Sequence, residues 1–335
     1  MKAVVVAAPG GLDKVSLIDI ADPGKPKAGE IRVAIKAGSL NFHDLLVANG
    51  GIPTEDNRIL LSDGAGVVEE VGEGVTEFKP GDHVVSTFFP VWPAGPAFAD
   101  VGHFRNVPGD GLQGMASEYV VRSVNAFTHA PQGWSHAQAA TITTSGLTAW
   151  RALVVNGQLK AGDTVLVQGT GGVSITALQI AKAMGAIVVV TSSSDEKLDA
   201  AKKLGADYTI NYNTEPKWGR KAAELTGGVD HVIEVGGPAT IGQSLNALKV
   251  GGHIAQIGIL SGTTAELPVM QLLAKQARLQ GLIVANRQDQ QNFVKALEVI
   301  DAQPVIDTTY EYAELAEAFA YQQSGQHFGK ICVQW

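Results

Sequence analysis

The chain has 335 residues, 45% of them hydrophobic, a formal net charge of −8 and one cysteine, Cys332. This length exceeds that of one ordinary domain, so we expect two globular units with substantial cores. The acidic balance argues against a nucleic-acid partner, and a single cysteine excludes intramolecular disulfides and thiolate-rich metal sites. No signal peptide and no apolar run of roughly 18 residues is present, which predicts a cytoplasmic protein without membrane segments.

Residues 1–124 contain short β-branched runs broken by glycine and proline turns, which predicts a mostly antiparallel β domain. From residue 125 to 286, strands and helices alternate, a pattern typical of βαβ units around a parallel sheet. The predicted strands of this second domain are 164–168, 187–191, 208–210, 231–235, 254–258 and 281–285. Residues 287–335 contain a predicted helix, 292–300, and a final strand-like KICVQW, and we expect them to return to the first domain.

The glycine-rich stretch QGTGGVS lies between a continuous apolar strand and an amphipathic helix. Such a turn directs backbone amides and the positive end of the helix dipole at a pyrophosphate, so it predicts a dinucleotide site. The residues expected to bind the cofactor here are Gly169, Thr170, Gly171, Gly172 and Val173. The alternative is a glycine turn used only for packing.

The end of the second strand of this domain predicts which dinucleotide binds. NAD-binding versions carry an acidic residue about 20 residues after the glycines, and this chain has Ser192 there. Ser192, Ser193 and Lys197 offer two hydroxyls and a cation to a 2′-phosphate, which favours NADP. Alternatively, Ser194 caps the next helix and Lys197 is a solvated surface residue. Tyr212 is placed either near the adenine or in the core.

Six segments in order resemble the medium-chain dehydrogenase/reductase superfamily over essentially the whole chain: AGSLNFHDLLVANGG, LLSDGAGVVEEVGEGVTEFKPGDHV, ASEYVV, TTSGLTAWRAL, VLVQGTGGVS and HFGKICV. The resemblance implies an α/β protein in which a GroES-like, mostly antiparallel catalytic domain is built from both chain ends. It implies a Rossmann domain with a doubly wound parallel sheet inserted between them, and an active-site cleft at the junction. Gly258 and Ile259, just past a predicted strand, are expected near the nicotinamide because ligands bind at carboxyl strand ends.

That superfamily contains zinc-dependent alcohol dehydrogenases and zinc-free quinone and enone reductases. Matched motif to motif, the positions of the zinc ligands hold Asn41, Ser62 and Thr144 in this chain, and none is a good zinc ligand. The segment of the structural zinc lobe, 88–114, contains no cysteine. We therefore expect no metal.

The N-x-x-D spacing of Asn41 and Asp44 matches the zinc-free quinone oxidoreductases. A salvage metal site from His43, Asp44 and Asp63 is the less favoured alternative.

The resemblance implies hydride transfer from NADPH to a quinone or a conjugated enone or enal, with the Asn41 amide donating to the carbonyl oxygen. The predicted catalytic residues are Asn41, His43, Asp44 and Thr144, and Asp44 is expected to order the loop rather than to carry protons. His43 is interpreted either as the proton donor or as a structural residue.

Phe88, Phe89 and Trp92 are candidate walls of the substrate pocket, or ordinary loop packing. Segment 267–285, rich in apolar residues, is interpreted either as a homodimer surface or as part of a monomer core. Two other functions stay open: a zinc-free, NADP-dependent alcohol dehydrogenase or ketone reductase, and a non-catalytic NADPH-binding protein.

Overall fold

The computed structural model describes all of residues 1–335 and divides into two units. Unit 1 contains Met1–Leu147, Val284–Val299 and Ile306–Trp335. Unit 2 contains Thr148–Ile283 and Ile300–Val305. None of the helices combines the length and the apolar character that crossing a membrane requires.

Sixteen strands and ten α-helices form the two units. The strands are β1 Lys2–Val6, β2 Val15–Asp19, β3 Glu30–Ser39, β4 Arg58–Ile59, β5 Asp63–Val71, β6 His83–Ser86, β7 Tyr119–Ser123, β8 Phe127–His129, β9 Thr164–Gln168, β10 Ile187–Ser192, β11 Tyr208–Asn211, β12 Val229–Glu234, β13 Leu248–Gln256, β14 Arg278–Gly281, β15 Ile306–Glu311 and β16 Lys330–Gln334. The helices are α1 Phe42–Ala48, α2 His136–Ala140, α3 Leu147–Trp150, α4 Gly172–Ala183, α5 Asp195–Lys203, α6 Trp218–Thr226, α7 Ile241–Ala247, α8 Val269–Ala274, α9 Arg287–Leu297 and α10 Leu315–Ser324.

Unit 1 is built on two sheets. The larger has the order β15-β16-β3-β5-β6-β8, with β7 also paired to β3, and the smaller has the order β2-β1-β4. All of these pairs are antiparallel except β15 with β16, which are parallel. Their inward-facing residues, such as Val33, Ile35, Val68 and Phe127, form one buried core. Strand β16 brings the C-terminal end of the chain beside β3.

Unit 2 contains a six-stranded parallel sheet with the order β11-β10-β9-β12-β13-β14. This is the doubly wound order of a Rossmann domain, and the strand order reverses between β9 and β12. Every residue of β9 is buried, as expected of a parallel strand covered on both faces. In such sheets, ligands bind beside the carboxyl ends of the strands at this switch point.

Three local features differ from the sequence-based expectation. Residues 125–147 lie in unit 1, where β8 pairs with β6 and the Ala140 carbonyl accepts a hydrogen bond from Ser39 Oγ. The predicted strand 281–285 was wrong: the ladder uses β14, and the run after it is irregular, with Leu282, Val284 and Ala285 buried, Ile283 exposed and a φ of 43° at Val284. Helix α9 starts five residues before the predicted 292 because the Asn286 side chain caps it by accepting from Asp289 N at 2.8 Å.

Candidate functional site

A buried polar cluster lies at one end of the larger sheet of unit 1. Asn41 follows β3 and is the N-cap of α1, Ser62 precedes β5, and Thr144 lies in a π-helical turn after α2. Because Ser39, the last residue of β3, lies opposite Asp63, the first residue of β5, the segment after β3 and the segment before β5 meet. Asn41 Nδ2 lies 3.5 Å from Ser62 Oγ, which lies 3.4 Å from Thr144 Oγ1. The three residues at the zinc-ligand positions are thus neighbours in space.

These three side chains are an amide and two hydroxyls, a donor set that does not fit zinc, which prefers thiolate and imidazole. The alternative set of His43, Asp44 and Asp63 is not assembled around a common point. No group of three or more histidine, cysteine, aspartate or glutamate side chains in the structure could hold a metal ion.

Asp44 organises this cluster. One of its oxygens, Oδ2, accepts from Asn41 N at 2.9 Å and from Asn41 Nδ2 at 3.0 Å. The other, Oδ1, accepts from Ser62 N at 2.9 Å and from Ser62 Oγ at 3.1 Å. A buried carboxylate with four donors is well satisfied, so Asp44 holds the Asn41 and Ser62 loops together.

Asp63 is the second carboxyl group of the cluster and is fully buried. It accepts hydrogen bonds from Ser39 Oγ and Thr144 Oγ1, both at 2.6 Å. Burial raises the pKa of Asp63 to about 6, and Asp44 adds to this shift, while Lys330 and the two hydroxyl donors oppose it. Asp63 therefore holds its proton more tightly than an ordinary aspartic acid does, and its carboxyl group accepts from the half-buried hydroxyl of Thr144.

Lys330, at the start of β16, was missed as a site residue. Its side chain is buried, and Nζ donates to Asn41 Oδ1 at 2.7 Å and to Leu40 O at 2.5 Å. Nζ also lies 3.9 Å from Asp63 Oδ2. Burial lowers the pKa of Lys330, and the nearby carboxylates oppose that shift. The available signal was a lysine at the start of the apolar run KICV.

His43 has a different set of neighbours. Its Nε2 lies 3.3 Å from Asp110 Oδ2, its ring stacks on Phe104 and it meets the edge of Phe88, each at 5.6 Å between ring centroids. No hydrogen bond joins its side chain to Asn41 or Ser62. Nε2 makes no hydrogen bond, so ring packing and the nearby carboxylate hold His43 in place, and a role in proton delivery stays a prediction.

The three predicted pocket residues do come together. The ring of Phe89 lies 4.7 Å from that of Phe88 and 6.0 Å from that of Trp92, and all three side chains are buried. They form one aromatic cluster that reaches His43 through Phe88.

The predicted cofactor residues lie at the carboxyl ends of the strands of unit 2. Gly169 has a φ of 70°, and a Cβ added at Gly169 or Gly171 would meet no atom within 4 Å, so the space over this turn is open. Gly171 is the N-cap of the 12-residue helix α4 and has no side-chain cap, which leaves the amides of the first turn, including Gly172 and Val173, without a side-chain acceptor. These features fit a bound pyrophosphate.

Two other residues of this turn, Thr170 and Ser174, are buried. Ser174, at the usual third glycine position, donates to Gln168 O at 2.6 Å and so connects α4 to β9.

Beside this turn, Ser192 ends β10 and is buried, whereas Ser193 is exposed. Ser194 caps α5 by accepting from Lys197 N at 3.3 Å, as the alternative interpretation expected, and this leaves both preceding hydroxyls in place. Tyr212 donates its backbone amide to Ser192 O at 3.1 Å, and its side chain is 40% exposed. It is therefore a surface residue next to Ser192 and not a core tyrosine.

Gly258 and Ile259 follow β13. Gly258 N donates to Glu234 O at 3.1 Å, and a Cβ at Gly258 would lie 2.0 Å from Val235 O, so the glycine permits close packing of two strand ends. Ile259 is 46% exposed.

The fully buried Glu234 was missed as an organiser of this edge of the sheet. It accepts from five groups: Gln168 Nε2, Ser244 Oγ, Thr240 Oγ1, Gly236 N and Gly237 N. This network fixes the ends of β9 and β12 at the switch point.

The chain resembles proteins of known family in both units. Residues 27–132 match the alcohol dehydrogenase GroES-like domain family, and residues 172–302 match the zinc-binding dehydrogenase family. A zinc-type alcohol dehydrogenase-like protein of Schizosaccharomyces pombe is 40% identical over 334 residues, covering 97% of this chain and 96% of that protein. An acryloyl-coenzyme A reductase of Metallosphaera sedula is 32% identical over 342 residues, covering 99% of both chains.

The solved structure of an NAD-dependent alcohol dehydrogenase is 33% identical, has a TM-score of 0.89, and covers 100% of both chains. The fold predicted from the sequence, a parallel Rossmann sheet with an antiparallel GroES-like domain, is confirmed. With its two family matches and a relative at 40% identity over nearly its full length, the chain belongs to the medium-chain dehydrogenase/reductase superfamily of oxidoreductases.

Proposed function

We propose that this protein is a zinc-independent oxidoreductase that uses NADPH to reduce quinones or conjugated enones and enals. The observation that carries the proposal is the chemistry of the cluster around Asn41, Ser62 and Thr144, where neutral side chains occupy the zinc-ligand positions of the zinc-dependent relatives. A zinc ion contributes several kcal/mol of stabilisation to a developing oxyanion, whereas one neutral donor contributes about 3 to 4 kcal/mol. Acceptors that delocalise their own negative charge suit the weaker donor.

In this proposal, Asn41 Nδ2 donates to the carbonyl oxygen of the acceptor. Nδ2 carries two protons, of which one is directed to Asp44 Oδ2, and its contact with Ser62 Oγ is long at 3.5 Å. The second proton is therefore available for a better acceptor. The relative named acryloyl-coenzyme A reductase supports this acceptor class, because an acryloyl group is a conjugated acyl group.

NADPH is proposed as the cofactor because Ser192, Ser193 and Lys197 provide no carboxylate at the position that binds the ribose in NAD-binding proteins. The glycine turn would hold the pyrophosphate, and the bound nicotinamide supplies the hydride. Proton delivery to the reduced acceptor is assigned to His43, because imidazole is the side chain that most often serves as a general acid.

We also propose a homodimer formed through segment 267–285. Strand β14 is an edge strand that pairs only with β13, so one row of its backbone groups is open to another strand. Next to it, α8 exposes Val269, Met270 and Leu273, with Met270 76% exposed. A second copy of this chain would present the same edge and the same apolar residues, as a two-fold interface requires.

The experiment that tests the function is a panel of acceptors assayed with NADPH and with NADH, with metal content measured on the same sample. We expect turnover with quinones or conjugated carbonyls, zinc far below one ion per chain, and rates that chelation leaves unchanged. Oxidation of secondary alcohols with NADP and no enone reduction would favour the zinc-free alcohol dehydrogenase. Stable NADPH with every acceptor would favour a binding protein, and stoichiometric zinc whose removal abolishes turnover would overturn the proposal.

A further inference from the structure

Lys330 is a buried cation placed by strand pairing against the candidate oxyanion donor. Strand β16 pairs with β3 so that Cys332 lies opposite Ser39, and Leu40 N donates to Ile331 O at 3.0 Å beyond the paired residues. Continued by two residues, this register places Lys330 opposite Asn41, where Nζ donates to Asn41 Oδ1 at 2.7 Å. The contact joins residues 289 positions apart in the chain.

Packing alone does not account for a lysine at this position. Its exposed fraction is 4%, and the next three residues of β16, Ile331, Cys332 and Val333, are apolar or weakly polar and buried. Burying an ammonium costs several kcal/mol unless partners compensate, and an apolar side chain of similar volume is often equally stable. A cation that keeps such a position is a candidate for a functional role.

The contacts of the Asn41 amide determine its orientation. Its oxygen faces the Lys330 ammonium, and its nitrogen faces the Asp44 carboxylate at 3.0 Å. The flipped amide would place its NH₂ group against an ammonium and its oxygen against a carboxylate, two unfavourable contacts. Lys330 and Asp44 together therefore select the orientation in which Nδ2 is the available donor.

The same contacts polarise the amide. An ammonium that donates to an amide oxygen withdraws electron density from the amide nitrogen and strengthens its N–H groups as donors. In a buried site this effect is larger than in water because the local dielectric is low. An amide backed by a cation is thus a better oxyanion donor than an isolated one.

We propose that Lys330 is a positioning residue of the active site, which orients and polarises the Asn41 amide for the carbonyl oxygen of the acceptor. This inference rests on the proposed function, in which Asn41 is that donor. Lys330 acts through Asn41, whose amide oxygen accepts from its ammonium.

The test compares Lys330→Met with Lys330→Arg, using the best acceptor from the panel. The methionine variant keeps the length of the apolar stem and removes the charge, whereas arginine keeps the charge and the donors. We expect Lys330→Met to lower kcat by about ten- to a hundredfold with the KM for NADPH unchanged, and Lys330→Arg to restore part of the rate. Lys36→Met, which removes an exposed lysine of β3, is the matched control and should keep the wild-type kcat.

A double-mutant comparison separates this inference from the proposed function. If Lys330 acts through Asn41, the variant with both Lys330→Met and Asn41→Ala is no slower than Asn41→Ala alone. A wild-type kcat in Lys330→Met while Asn41→Ala is slow would overturn the role of Lys330 only. A wild-type kcat in Asn41→Ala would overturn both proposals. If Lys330→Met does not fold, Lys330→Gln, which keeps a neutral donor, takes its place in the same kcat comparisons.

Discussion

The titration of Asp63 should make the stability of the protein depend on pH near neutrality. Burial raises the pKa of Asp63 from its ordinary value of 3.8 to about 6, so the folded protein binds this proton more tightly than the unfolded chain does. The resulting contribution to stability is fully present below about pH 3.8, the unfolded value, and is lost as the pH rises through about 6. In Asp63→Asn the amide cannot ionise, so this loss disappears.

The expected size follows from the shift. A change of about two pKa units at 1.36 kcal/mol per unit corresponds to about 3 kcal/mol. The group is completely buried, so solvent screening does not reduce this value much. Between pH 4 and pH 7, wild-type protein should therefore lose about 3 kcal/mol of unfolding free energy relative to Asp63→Asn, with little further change above pH 7.

The assay is equilibrium urea unfolding of both proteins at half-unit pH intervals from pH 4 to 8. Ser39→Ala provides the directional control, because Ser39 Oγ donates to Asp63 at 2.6 Å and stabilises the ionised form. Its loss should move the transition to higher pH. A free-energy difference between wild type and Asp63→Asn that stays constant from pH 4 to 7 would refute this account, since Asp63 would then be ionised throughout, held by Lys330.

Three further changes test the cofactor site, the donor and the dimer. Ser192→Asp should lower the ratio of kcat/KM for NADPH to that for NADH at least about tenfold, and an unchanged ratio would contradict the phosphate assignment. Asn41→Ala should reduce kcat about a hundredfold or more, whereas Asn49→Ala, at the exposed C-terminal end of α1, should keep the wild-type kcat. A wild-type kcat in Asn41→Ala would remove Asn41 from the mechanism. In sedimentation at micromolar concentration, Met270→Glu should be a monomer, while Val299→Glu, at another highly exposed position, should remain a dimer. A dimeric Met270→Glu variant would exclude segment 267–285 as the interface.

The local signals in the sequence predicted most of unit 2. Strand β9 has the predicted bounds, and the turn and α4 follow it, because a short apolar run, a glycine turn and an amphipathic repeat are each readable from adjacent residues. The run GLIVA at 281–285 was misread as a strand for the same reason: its composition suits a strand, but composition does not say which residues join the ladder.

The candidate site could be predicted only where its residues belong to motifs. Asn41 and Asp44 are three positions apart, so their spacing is visible in the sequence, and the structure joins them by two hydrogen bonds. The contact of Lys330 with Asn41 depends on the antiparallel register of β16 with β3, which no local pattern specifies. The raised pKa of Asp63 likewise follows from its burial in the assembled sheet.

The position of Lys330 affects which acceptors the site can reduce. On the sequence alone, the polarising group is a neutral amide, and only acceptors that delocalise charge well suit it. An ammonium 2.7 Å behind that amide increases its donor strength, but its charge is partly balanced by Asp63, 3.9 Å away. Protonation of Asp63 near pH 6 would remove the negative charge that offsets the Lys330 ammonium. The ammonium would then polarise the Asn41 amide more strongly. On this reasoning kcat in the proposed reaction should rise as the pH falls through about 6, and the rise should be smaller in Lys330→Met than in wild type.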